Sequence, residues 1–262
     1  MLKPKKSLGQ NFLINNEIIE KIVGSGNITN RIVLEIGPGT GNLTKAILKK
    51  KPKKLFVIEK DTDLSELLRK NFHYEIEIIN EDILKFNEKK LTNEKIVVFG
   101  NLPYNISTEI LCKWIINVDN DNFWFDELIL MFQKEVADRI IAKFNTSNYG
   151  RLAIISNWKL NIKKICDINP DSFSPRPKIY STLLHFTPNN NFFKISEPKN
   201  LEKITRIFFS HRRKMIKKPF NQIFNGNSKI LDKLKIDLNL RPQNLDLLTY
   251  YNLTREYEKL RS

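Results

Sequence analysis

In the first half of the chain, apolar runs of strand length alternate with segments of helix length. The runs fall at residues 32–36, 55–58, 74–79, 96–99 and 128–132, and the helix-length segments at 41–50, 63–71, 107–116 and 134–144. Parallel neighbours in a sheet need a long crossover, normally a helix, whereas antiparallel neighbours can be joined by a tight turn. The alternation therefore predicts a mostly parallel sheet with helices on both faces. A further helix is expected at 16–24. Pro175 and Pro177 break any helix across 171–178, and a strand is expected after them at 181–186. The polar stretch Thr187-Pro188-Asn189-Asn190-Asn191 reads as a linker, and beyond it 201–209, 220–224, 230–234 and 245–260 read as short helices with no strand among them. The expected organisation is an α/β domain over 1–188 and a small helical domain over 189–262.

Composition narrows the class. A hydrophobic share of 41% with 17 Phe is enough to build a core, which excludes wholesale disorder. No apolar run approaches the roughly 18 residues of a membrane span, and the basic N-terminus lacks the apolar stretch of a secretory signal, so a cytoplasmic chain with no membrane partner is expected. Cys112 and Cys166 make no disulfide framework, and His73, His185 and His211 have no ligand spacing, so no metal is expected. A monomer is expected.

The net charge of +15 is uneven, with 16 basic and 7 acidic residues in 187–262. Between 203 and 218 stand seven basic residues, Lys203, Arg206, Arg212, Arg213, Lys214, Lys217 and Lys218, and no acidic one. Such a run attracts a polyanion, and Phe208, Phe209, Met215 and Phe220 within and beside it predict that helices, not a loose tail, present the charges. The alternative for any charge run is a solvated face.

Residues 35–41, Glu-Ile-Gly-Pro-Gly-Thr-Gly, follow a strand and open a helix. Gly37, Gly39 and Gly41 let the backbone turn tightly and approach a ligand. The spacing is neither that of a dinucleotide binder nor that of a P-loop. Glu59, at the end of the second strand, is where an acid can accept both hydroxyls of a ribose, which implies a nucleoside-like cofactor. Asp82, after the third strand, is placed for an adenine amino group, or alternatively as the cap of a short turn.

Asn101-Leu102-Pro103-Tyr104 ends the fourth strand, and in α/β sheets ligands gather at the carboxyl ends of strands, beside the Gly-rich turn. The tetrapeptide suits methylation of an exocyclic amine. The adenine N6 lone pair is delocalised into the ring, and acceptors aimed at its hydrogens, the Asn101 side-chain oxygen and the Leu102 carbonyl, localise it. Pro103 stiffens the turn without adding an N–H, and Tyr104 offers a flat face to the base. Phe173, in Phe173-Ser174-Pro175-Arg176-Pro177, is expected as a second aromatic plate over the pocket, with an ordinary core Phe as the alternative.

Ser7-Leu8-Gly9-Gln10-Asn11-Phe12-Leu13, the 35–41 turn, Glu59, Asp82, residues 101–108, Gln133-Lys134-Glu135-Val136-Ala137 and residues 173–181 occur in that order. Together they resemble the ribosomal RNA adenine dimethyltransferases, most closely the bacterial KsgA type, and no functional position of that pattern is missing. The resemblance implies a Rossmann-like class I methyltransferase domain followed by a basic helical domain. It implies an S-adenosylmethionine-dependent enzyme that dimethylates N6 of two adjacent adenosines in the 3′-terminal hairpin of 16S rRNA within the immature small subunit. Carried over by position, cofactor contacts fall to Asn11, Leu13, Gly37, Glu59, Asp82 and Asn101, and target-base contacts to Asn101, Leu102, Tyr104 and Phe173. The rRNA phosphates are expected on Arg206, Arg212, Arg213, Lys214, Lys217 and Lys218. Two alternatives stand beside this reading. The related large-subunit rRNA methyltransferases that confer macrolide resistance commonly carry Ile where Leu102 stands. A ribosome-assembly or transcription factor on the same fold would not need the intact 37–41, Glu59 and 101–104 set.

Overall fold

The computed structural model describes residues 5, 10–118 and 122–261 of the chain. A two-residue strand, β1 (Phe12–Leu13), leads into helix α1 (Asn16–Val23), whose start is set by Asn15: its side-chain oxygen accepts from the Ile18 N–H at 3.0 Å. Strand β2 (Ile32–Ile36), helix α2 (Asn42–Lys49), strand β3 (Lys54–Ile58), helix α3 (Thr62–Phe72) and the short strand β4 (Glu77–Ile79) follow. Next come β5 (Ile96–Asn101), α4 (Ser107–Ile116), β6 (Phe125–Gln133), α5 (Lys134–Ile140), α6 (Arg151–Lys159), β7 (Leu160–Ile168), β8 (Phe173–Ser174) and β9 (Ser181–Pro188). Four helices close the chain: α7 (Pro198–Phe209), α8 (Lys217–Phe224), α9 (Ser228–Leu234) and α10 (Leu247–Lys259).

The main sheet has the order β4-β3-β2-β5-β6-β9-β7, with β4 through β6 parallel and β9 antiparallel to β6. Its central strands are apolar without alternation because both faces are covered: Val33, Leu34, Val57, Val97, Val98, Leu128 and Ile129 are fully buried. Full burial of each such side chain stabilises the fold by about 1.5–3 kcal/mol. The chain steps outward from β2 to β3 and β4, then returns to the other side of β2 as β5. That reversal opens a crevice at the carboxyl ends of β2 and β5. This is the class I methyltransferase arrangement. No helix among the described residues is long and apolar enough to cross a membrane.

The strand expected at 74–79 is only Glu77–Ile79, and Tyr74 lies fully exposed before it. The helix expected at 134–144 ends at Ile140. The compact units also divide differently from the expected 1–188 and 189–262. One holds the described residues of Met1–Trp114, Val118–Ala137 and Asn161–Pro188. The other takes Ile115–Asn117 and Asp138–Leu160 together with Asn189–Ser262. The physical reason is α6, whose Leu152, Ala153, Ile154, Ile155, Ser156, Trp158 and Lys159 are all buried. It packs on α7 and α10, and the Tyr251 hydroxyl donates to the Ile154 carbonyl at 3.0 Å.

Candidate active site

The 35–41 turn leaves β2 and delivers the chain to α2. Gly39 has φ +58°, and a Cβ there would stand 2.7 Å from the Phe12 ring, so only glycine lets β1 lie against the turn. Around the turn lies a cavity of about 210 Å³. Its walls bring together Asn11, Leu13, Gly37, Gly39, Glu59, Asp82, Asn101, Leu102, Pro103 and Tyr104. Gly41 is not at the wall: at φ +89° it precedes the first turn of α2, where a Cβ would stand 2.5 Å from Phe72.

Glu59 is 8% exposed at the end of β3. Burial pushes its pKa up, and hydrogen bonds from the backbone N–H groups of Asp61, Gly39 and Lys60 oppose that rise. The Asp61 bond measures 2.8 Å. The carboxylate is thus held by the glycine turn itself, with lone pairs remaining for a diol. Asp82 also sits at the wall, but both of its oxygens have protein partners: the Leu84 N–H at 3.0 Å and the Lys60 ammonium at 2.8 Å. The Lys60 bond is the main reason its carboxyl titrates below the usual range. The turn-forming alternative for Asp82 is therefore present in the geometry, and each oxygen keeps a second lone pair.

The amide of Asn101 is oriented by a neighbour 90 residues away in sequence. Its Nδ2 donates to the Asn11 carbonyl at 2.8 Å, and because a carbonyl can only accept, Oδ1 must be the atom left to accept from a ligand. Among the described residues no backbone N–H bonds the Leu102 carbonyl, while the Leu102 side chain is buried. The Tyr104 hydroxyl meets the Ser181 hydroxyl at 2.6 Å, and burial pushes its pKa up, so the phenol is neutral. Two acceptors and one held aromatic ring thus share the pocket with an acid suited to a ribose.

A family model described as ribosomal RNA adenine dimethylase matches residues 1–259. The chain belongs to this family. The ribosomal RNA small subunit methyltransferase A of Pelagibacter ubique is 67% identical over 260 residues, covering 99% of each chain. The protein of the same name from a Wolbachia of Drosophila simulans is 42% identical, covering 99% of this chain and 96% of that one. Among solved structures, a dimethyladenosine transferase from Plasmodium falciparum superposes with a TM-score of 0.81 at 29% identity, covering 95% of this chain and 98% of that one. The 23S rRNA methyltransferase ErmE, at 20% identity and a TM-score of 0.69 over 95% of this chain and all of that one, shares the fold.

The geometry places two of the expected contact residues of this rRNA adenine dimethylase among protein partners. Phe173, expected as a plate over the pocket, is not among the residues of the pocket wall. It is 3% exposed and packed in the apolar cluster with Leu13, Ile168 and Leu183, because β8 pairs antiparallel with β1 and turns Phe173 inward and Ser174 outward. Arg212 is not an open cation. Its guanidinium donates to the carbonyls of Ser147 and of Tyr149, the latter at 2.7 Å, and so holds a loop of the dimethylase's own second unit. Arg206, Arg213, Lys214, Lys217 and Lys218 are exposed. Arg212, Arg213 and Lys214 stand on the turn between α7 and α8, outside the helices expected at 201–209 and 220–224.

Sequence reasoning missed the fastening of the N-terminal segment. The Asn42 amide donates to the Leu13 carbonyl at 2.7 Å. Gln10 Nε2 and the Lys5 ammonium both reach the buried Asp61 carboxylate, at 2.9 and 2.7 Å. Ser7, Leu8 and Gly9 of the first motif lie outside the described residues. It also missed Glu35, a pocket-wall carboxyl that is 1% exposed and accepts from the Thr44 hydroxyl at 2.7 Å.

Proposed function

We propose that this rRNA adenine dimethyltransferase uses S-adenosylmethionine to dimethylate N6 of two adjacent adenosines in the 3′-terminal hairpin of 16S rRNA. It works as a cytoplasmic monomer without a metal, on the immature small subunit. The carrying observation is the Asn101 amide, whose Nδ2 is spent on the Asn11 carbonyl so that Oδ1 turns to the pocket as an acceptor. The residues fit the cofactor: Gly37 and Gly39 line the pocket, and the Glu59 carboxylate, fixed by backbone donors, offers acceptors to a ribose diol. When bound, S-adenosylmethionine supplies an electrophilic methyl on a sulfonium.

The chain's own work is positioning and polarisation. Asn101 Oδ1 and the Leu102 carbonyl accept from the N6 hydrogens and pull the lone pair out of the ring. Tyr104 stacks on the base, and its fixed hydroxyl keeps the ring from turning. No strong base is needed beforehand, because the amine becomes acidic once methylated. In this reading residues 1–188 carry catalysis and 189–262 the rRNA contact. Lys217 and Lys218 open α8, where the helix dipole disfavours cations, so an anionic partner there is stabilising.

Transfer of tritiated methyl groups to undermethylated small subunits and to naked rRNA tests the reading. Two dimethylated adenosines in the small-subunit rRNA are expected. Label confined to the large-subunit rRNA would overturn it.

A further inference from the structure

We infer that Lys113 is a positioning residue for cofactor selection: through one peptide group it fixes the Asp82 carboxylate that receives the adenine amine. The inference rests on the reading of Asp82 as the adenine contact. Lys113 lies in α4, which grows directly out of the 101–104 turn. The Ile106 N–H donates to the Pro103 carbonyl at 3.1 Å, and the Ser107 hydroxyl to the Tyr104 carbonyl at 3.3 Å. Six residues beyond Ser107, about 9 Å along the helix, the Lys113 ammonium reaches the segment after β4. It donates to the Ile83 carbonyl at 2.7 Å, to the Phe86 carbonyl, and to the Glu88 carboxylate at 2.9 Å. An ammonium has three protons, and here each has an acceptor. The same Glu88 oxygen accepts from the Trp114 indole at 2.6 Å.

The contact matters at the pocket because of the atoms it holds. The Ile83 carbonyl and the Leu84 N–H belong to one planar peptide group. The Leu84 N–H donates to Asp82 Oδ1 at 3.0 Å. Lys113 therefore grips one side of the peptide whose other side orients the carboxylate. Asp82, Ile83 and Leu84 all stand at the pocket wall. The second carbonyl, that of Phe86, belongs to the turn closed by the Phe86 N–H on the Asp82 carbonyl at 3.0 Å. The turn is thus held to α4 at two points.

The other tie on Asp82 is weaker. Its Oδ2 meets the Lys60 ammonium at 2.8 Å, but that lysine side chain is 59% exposed, whereas those of Lys113 and Glu88 are 19% and 5% exposed. Exposed ion pairs hold a geometry poorly, because water competes for both partners. An adenine amine needs an acceptor at a fixed place. A carboxylate free to swing would accept from other donors and tolerate other rings, and selection between ligands is a difference of affinities. Helix α4 thus carries the target-base turn at its start and fixes the adenine acceptor further along.

Calorimetry on the full chain tests this with two ligands. One is S-adenosylhomocysteine, the demethylated cofactor; the other is S-inosylhomocysteine, which has a carbonyl in place of the adenine amine. The unaltered chain should prefer the adenosyl ligand roughly 10- to 100-fold, the range for loss of a hydrogen bond to a charged acceptor. Lys113→Met paired with Glu88→Gln, which leaves no buried carboxylate without its cation, should cut that preference by about fivefold or more. Amide exchange at Leu84 in the ligand-free protein should quicken, with β5 unchanged. Glu88→Gln alone keeps both carbonyl contacts and should keep the preference. An undiminished preference in the folded double variant overturns the inference. So does an equal loss in Glu88→Gln, which would make the ion pair and not the carbonyl clamp the cause. If the unaltered chain does not discriminate between the ligands, Asp82 is not the adenine contact, and the inference falls with that reading.

Discussion

Replacing Glu35 with Gln should change how stability depends on pH. Glu35 lies in β2 between Val57 and Phe99 of the flanking strands. Burial pushes its pKa from the ordinary 4.5 up to about 8; the Thr44 hydrogen bond opposes this and the neighbouring Glu59 charge adds to it. The folded protein therefore keeps the Glu35 proton at pH 7, while the unfolded chain has released it. Between pH 4.5 and 8 the folded state binds more protons than the unfolded state, so stability falls as pH rises. The contribution is complete below pH 4.5 and is lost as pH climbs through about 8. A span of about 3.5 units at about 1.4 kcal/mol each makes the whole effect roughly 3–5 kcal/mol, a large share of a domain's stability. Glu35→Gln keeps the shape and an acceptor for Thr44 and removes the titration. Urea unfolding of both proteins at pH 5, 6, 7 and 8 isolates the site, because groups that do not interact with Glu35 cancel in the difference. The variant should gain on the unaltered protein by about 1.4 kcal/mol per pH unit. Parallel pH profiles would refute the reasoning, since they would mean that Glu35 is ionised in the fold.

Glu59→Ala should weaken S-adenosylmethionine binding at least tenfold, because two charge-assisted hydrogen bonds of about 1.5–3 kcal/mol each are lost; calorimetry giving an unchanged Kd would remove Glu59 from the ribose site. Ser181→Ala and Tyr104→Phe break the same hydroxyl pair, so each should cost about 0.5–1.5 kcal/mol in kcat/KM and the double variant no more than either alone; additive losses would mean that Ser181 does not position Tyr104. Replacing Arg213, Lys214 and Lys217 together by Ala should flatten the dependence of log affinity for the small subunit on log salt by roughly 2 to 3. Arg212→Ala should instead lower Tm, because it strips the Ser147 and Tyr149 carbonyls of their donor; the opposite assignment of the two phenotypes would undo the division of the basic run.

The parallel half of the sheet was legible because burial on both faces writes each strand as an unbroken apolar run. The same completeness of burial hid α6. With seven of its nine residues buried, it shows no polar face and hence no helical period. β7 was hidden for the opposite reason: it closes one edge of the sheet, and Lys163 and Lys164 interrupt its alternation. Charge counting located the basic run but not its internal use, since Arg212 looks like its neighbours until the carbonyls of 146–149 are brought to it.

The site divides in the same way. Residue types suited to nucleoside and amine chemistry were visible because 35–41 and 101–104 are contiguous and end strands. Their orientation was not visible, since it comes from partners distant in sequence. Asn101 is turned by Asn11 across 90 residues, and Tyr104 is held by Ser181 across 77. The burial of Phe173 was not legible because a two-residue pairing with Phe12 and Leu13, too short to leave a pattern, decides which side chain of β8 faces inward. A tetrapeptide at a strand end thus names the chemistry, and the long-range bonds decide which atom meets the substrate. The 101–104 turn transplanted without the Asn11 carbonyl would leave its amide free to flip, and half of its orientations would present a donor to a donor.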